Sequence, residues 1–279
     1  KDIVKMYSDN QIISEAENIR NDIALIGDKN QMMAKAMEWL SYVSISREDQ
    51  WLRSRDTWRD AYFKRRSENE ESGAWSSHRK LMKSVAARSR NQWNAFNARE
   101  TQIYTGIVRA LGFSDEITSE YLNHITEYQD NWKEFYKFQQ QKINEYFDKL
   151  ITWDDYLDDT NEAYERHFQS EMLIQETMNQ TFLRGYFERY GSDITPIETL
   201  QNRIIEIRHD MHNMQVDIRQ RLREISKGFA NTDEDKILFD RIKSEMYLAF
   251  EPEYNGKIEE IYNLQSQLGA ELARDPVER

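Results

Sequence analysis

The chain has 279 residues with 38 Lys and Arg against 50 Asp and Glu, a formal charge of −12, 39% hydrophobic residues and no cysteine. The charge argues against general affinity for nucleic acid or anionic lipid, and the missing thiols exclude disulfides, cysteine nucleophiles and thiolate metal sites. Three prolines and nine glycines leave little to stop a helix once begun, since proline in a helix interior costs about 3 kcal/mol and glycine about 1.

The first helical run is expected over about residues 9–46, where Ile13, Ala16, Ile19, Ile23, Ile26, Met33, Met37 and Leu40 keep an apolar stripe. Glu48-Asp49 opens a second helix carrying Trp51, Leu52, Trp58, Tyr62 and Phe63, and Ser67 to Gly73 reads as a solvated turn. A third helix is predicted from Ser77 to Ala110. Leu111-Gly112-Phe113-Ser114-Asp115-Glu116 then combines a glycine stop with a serine N-cap and an acidic first turn. The fourth run starts at Ile117, is rich in aromatics such as Tyr121, Tyr128, Trp132 and Phe135, and extends past a bend near Asp154–Asp159 to Tyr190, before Gly191-Ser192-Asp193. Thr195-Pro196-Ile197-Glu198 is predicted to be a capping box with proline at the first helical position.

From there Ile197, Leu200, Ile204, Ile207, Met211, Met214 and Ile218 repeat at steps of three and four. Arg221 interrupts this row, and Leu222 and Ile225 resume it. Gly228 ends that helix, Asn231-Thr232-Asp233-Glu234 caps another through about Phe250, and Pro252 and Gly256 predict a short break before a last helix to Leu272. No strand is expected. The fold class is all-α: residues 1–279 form one elongated antiparallel helical bundle without a clear domain boundary, read as two stacked four-helix-bundle-like modules sharing long helices.

Phe182-Leu183-Arg184-Gly185-Tyr186, followed by the turn Gly191-Ser192-Asp193, resembles the bend in helical extracytoplasmic sensor domains of bacterial chemoreceptors and sensor kinases. The length and the two helical hairpins are similar to the helical bimodular class, although the first hairpin, Met37 to Tyr42 through Asp49, lacks the glycine. The resemblance implies a small organic-acid-like ligand held between helices, a periplasmic location outside a bacterial inner membrane, and an optional homodimer. Membrane attachment would come only through segments absent from this chain. A start at Lys1 is read as a removed leader or anchor, or an excised piece.

Arg184, Tyr186, Arg189 and Tyr190 are the candidate ligand-binding residues, because guanidinium forks and phenol hydroxyls suit a carboxylate. The competing reading is that such arginines answer the helix dipole and pair with nearby acids. Arg47, Arg53, Arg55 and Arg59, among Trp39, Trp51 and Trp58, form a similar group in the first half. Glu206 and His209 have the spacing of a di-iron bundle element, and His209, Met211, His212 and Met214 that of haem ligands, but the partner motifs for a metal site are missing. Trp132 and Phe135 read as core rather than as a ligand cage. No metal, cofactor or catalytic residue is expected, and no partner nucleic acid. The alternative function is a non-enzymatic helical scaffold or adaptor, cytoplasmic, that binds proteins along its helix faces.

Overall fold

The computed structural model describes residues 33, 35, 36, 97, 100–230 and 232–274. Five helices lie within these bounds: α1 (100–110), α2 (Asp115–Phe147), α3 (Trp153–Tyr190), α4 (Thr195–Ser226) and α5 (Asp233–Ala273). Helices of this length are not stabilised by propensity alone and must bury an apolar face. α2 shows how: Ile117, Tyr121, Ile125, Tyr128, Trp132, Phe135, Gln139, Ile143 and Tyr146 are buried at steps of three and four along its length.

Cross-helix contacts make every neighbouring pair antiparallel. α2 meets α3 through Glu120–Arg184, Asn131–His167 and Lys142–Asp159. α3 meets α4 through Glu171–Arg208, Glu165–His212 and Asp158–Arg223. α4 meets α5 through Arg203–Glu260 and Asp210–Lys257. The described residues therefore form an all-α antiparallel bundle, with α2/α3 and α4/α5 as hairpins. The main core gathers Ile107, Val108, Leu111, Ile117, Phe182, Ile197, Leu268 and Leu272 with Met33 and Ala36, at the end where α2 and α4 start and α3 and α5 finish. A smaller cluster of Ile143, Tyr146, Phe147 and Tyr156 closes the far tip of the α2/α3 hairpin.

The boundary at 111–116 is as expected: Gly112 adopts φ 71°, and the Ser114 hydroxyl accepts the Ile117 N–H at 3.2 Å. Three local expectations change. The aromatic run beginning at Ile117 is two helices, parted at residues 148–152. Lys149 takes φ 61°, and Thr152 and Asp155 form a reciprocal capping box, with Asp155 N–H to Thr152 Oγ1 at 3.1 Å and Thr152 N–H to Asp155 Oδ2 at 2.8 Å.

The expected box at Thr195 is absent. Thr195 is already helical, the Ile194 carbonyl accepts the Glu198 N–H at 2.9 Å, and Asp193 Oδ1 accepts the Thr195 N–H at 2.9 Å. An Asx turn from Asp193 thus replaces the threonine cap. Finally, α5 runs unbroken through Pro252 and Gly256. Pro252 lies on an exposed surface with Leu248, one turn earlier, 67% exposed, so water can satisfy the carbonyl that proline leaves without a donor. Of the elements predicted before residue 97, only Met33, Lys35 and Ala36 of the first helical run are described, and they are helical.

Candidate functional site

The four residues singled out in the sequence do not converge on one cleft. Arg184 lies on the α2 side, where its guanidinium pairs with Glu120, and the Thr181 hydroxyl donates to the same carboxylate at 3.0 Å. Arg184 foremost, then Thr181, hold the Glu120 carboxyl below its ordinary range. Tyr186 is 1% exposed and belongs to the main core. Tyr190 donates its hydroxyl to the Leu111 carbonyl at 2.6 Å, and its ring lies 4.7 Å from that of Tyr186. Arg189 sits over Tyr190 at 5.9 Å and beside Gly112, where an added Cβ would meet its Nε at 3.2 Å. Tyr186, Arg189 and Tyr190 thus brace the α1–α2 turn, while Arg184, about 140° around the helix from Arg189, faces Glu120. The matching cluster around Arg47 to Arg59 lies outside the described residues.

The densest polar chemistry instead runs along the α3–α4 interface, from exposed Asp154 and Asp158 to the buried Glu171. It follows from helical periodicity: core steps along α3 fall on Tyr156, Thr160, Tyr164, His167, Phe168, Glu171 and Met172. Along α4 they fall on Ile197, Gln201, Ile204, Ile207, Met211, Gln215, Ile218 and Leu222. That row is continuous once glutamines are admitted, and Arg221, 68% exposed in its side chain, never belonged to it. Acceptors collect on α3 and donors on α4. Arg223 pairs with Asp154 and Asp158, Arg219 reaches Asn161, His212 Nε2 lies 2.6 Å from Glu165 Oε2, and Arg208 donates to Glu171 at 3.1 Å. Phe168, Met172 and Ile205 supply the apolar cluster between them.

Glu171 is the most sequestered charge, with no exposed side-chain surface. Burial alone would raise its carboxyl, but the Arg208 charge, the His167 ring and a hydrogen bond from Tyr128 outweigh it and hold the group below its ordinary range. His167 Nε2 lies 3.5 Å from Glu171, and its ring stands 4.1 Å from Trp132 and 5.1 Å from Phe135. Trp132 and Phe135 therefore serve the core, as their spacing suggested. His212 stacks face to face on Phe168 at 3.8 Å and 4°.

Glu206 pairs with Arg203 at 3.0 Å on the surface, and His209 meets the edge of Phe168 at 5.4 Å, so the two do not face a common centre. Among the described residues no group of three His, Cys, Asp or Glu is placed to hold a metal ion. Nor is any described helix long and apolar enough to cross a membrane. Apolar periodicity alone does not reveal the α3–α4 network. A carboxylate and an imidazole four residues apart, both at core steps of α3, were the available signal. No protein-family model, curated protein or solved structure matches the chain.

Proposed function

We propose that the chain is the extracytoplasmic, non-enzymatic sensor region of a bacterial transmembrane receptor, binding a small anionic metabolite and signalling through helix shifts. The observation that carries this reading is the Arg184–Glu120 pair. The side chains are 48% and 38% exposed, so an incoming carboxylate can take the guanidinium fork from Glu120 without entering the core. Arg184 is on α3 and Glu120 on α2, so exchanging partners changes what ties one helix of the hairpin to the other. The stacked two-module arrangement, a periplasmic location and a homodimer belong to the same proposal. A thermal-shift screen with small carboxylates and amino acids tests it. A saturating ligand should raise stability by a few kcal/mol, and Arg184→Ala should abolish the response. A hit that survives both Arg184→Ala and Arg189→Ala would place the ligand elsewhere.

A second reading, a helical scaffold that binds proteins, is favoured by α5. From Asp233 to Glu253 this helix has no buried residue, and it presents Ile237, Leu238 and Leu248 at 72%, 48% and 67% exposure. The full-length gene product separates the two. Membrane spans flanking these residues, followed by a signalling module, support the sensor; a complete reading frame without spans sinks it.

A further inference from the structure

We propose that the α3–α4 interface is an acid-sensitive joint, in which protonation of His212 at Nδ1 loosens the α4/α5 hairpin from the α2/α3 hairpin. This stands independently of the ligand reading. The two hairpins share the main apolar core at one end and the cluster of Phe168, Met172 and Ile205. Along α3 and α4 they are also tied by polar pairs, Asp154 and Asp158 to Arg223, Glu165 to His212, and Glu171 to Arg208. Of the histidines placed in that interface, His212 is the one on α4 that grips an acid of α3. Its side chain is 3% exposed, one face is covered by Phe168, and Nε2 donates to Glu165. Its Nδ1 is buried without a hydrogen-bond partner. Neutral imidazole fits this site, because Nδ1 then needs no acceptor. An imidazolium would place a second N–H at Nδ1, where no protein group accepts it, and a buried charge that Glu165 offsets only in part.

The surrounding groups decide the direction. Glu165 and Tyr164 face the ring from α3, and His209 and Arg219 bear on it from α4. Burial foremost pushes the imidazole below its ordinary 6.5, with Arg219 and His209 acting the same way. Glu165 opposes them without prevailing. An opened joint exposes the ring and returns it towards that ordinary value, so the open form binds the proton more tightly. The contribution of His212 to closure is therefore complete above about pH 6.5 and is lost as pH falls towards the depressed value. Glu165 and Glu171 are also held below their ordinary range, so further acidification acts in the same sense.

The chain contains no cysteine, which makes pairs of spin labels straightforward. One pair, Glu162→Cys on α3 and Asp217→Cys on α4, spans the joint; a second, Glu134→Cys on α2 and Glu162→Cys, stays within one hairpin. All three sites are exposed. Between pH 7.5 and 5.5 the joint pair should gain a longer-distance population, its equilibrium rising by at most about tenfold per pH unit for one proton. The hairpin pair should not change. His212→Gln keeps a donor towards Glu165 but cannot titrate, and should remove most of the response.

Equal broadening of both pairs, an unchanged joint pair, or an undiminished response in His212→Gln would each overturn the proposal. Should the variant fail to fold, nuclear magnetic resonance titration of His212 in the unaltered chain decides. A midpoint below 6.5 that coincides with the distance change supports the joint, and a midpoint at or above 6.5 refutes it.

Discussion

Replacing Arg208 by methionine strips the buried Glu171 of its principal counter-charge while keeping an unbranched side chain of similar reach. The two groups are 3.1 Å apart, with side-chain exposures of 11% and 0%. At an effective dielectric near 20, unit charges about 4 Å apart attract by roughly 4 kcal/mol. Removing one partner of a buried pair typically costs about 3–5 kcal/mol, because the remaining charge is left in a low-dielectric site. Arg208→Met should therefore lower the unfolding free energy at pH 7.5 by that amount, read as a fall in the urea midpoint. Glu171→Met combined with Arg208→Met should recover most of the loss, since neither charge is then buried.

The pH dependence gives a second reading of the same chemistry. In the unaltered protein Glu171 is held below its ordinary range, so its contribution is present above that range and is lost on acidification. In Arg208→Met burial should instead raise the carboxyl above its ordinary value. The folded state then binds the proton more tightly than the unfolded chain. Going from pH 7.5 to 5.5 should stabilise the variant, opposite to what Glu171 does in the parent. A loss below about 1 kcal/mol, or no recovery in the double variant, would refute the view that this pair is buried and coupled.

Other consequences concern the close approaches of the helices. A Cβ on Gly185 would meet Ile117 Cγ2 at 2.6 Å and Phe113 Cδ2 at 3.0 Å, so Gly185→Ala should destabilise by about 1–3 kcal/mol despite better helix propensity. Gly256 has nothing within 4 Å of a Cβ, and Gly256→Ala should stabilise α5 by up to about 1 kcal/mol in the same thermal or urea assay. Pro252→Ala should also stabilise, by about 1–3 kcal/mol, and should slow amide exchange around residue 252; unchanged exchange would mean the helix already compensates fully for its proline. Thr152→Ala should cost about 1 kcal/mol by removing half of the capping box.

Among the described residues, the all-α class and most helix positions were legible in the sequence because they rest on local periodicity. Ile117 to Tyr146 along α2, and the Gly112–Ser114 boundary, need no tertiary information. The break expected at Pro252 does not occur because the segment faces solvent, where an unmatched carbonyl is tolerable. Thr195 misled because two groups compete for the Glu198 N–H, and the Ile194 carbonyl takes it. The sequence offers Arg184 either a ligand or a neighbouring acid, and does not show that Glu120, 64 residues away, faces it. His167, Glu171 and Arg208 were missed for the converse reason: polar residues at core steps acquire meaning only when the facing helix is known.

The first half of α5 has a mechanical consequence. The buried residues of α5 begin at Tyr254 and continue through Ile258, Ile261, Leu268 and Leu272, all in its second half. The 21 residues before Tyr254 extend roughly 30 Å at the helical rise. The start of α5 is joined to the end of α4 at Ser226 by six residues, with Phe229 5.8 Å from Phe239, so a tilt of about 5° at Tyr254 would carry the α4–α5 turn through roughly 3 Å. Rearrangements too small to disturb the core would thus reach that turn as displacements as large as a hydrogen bond.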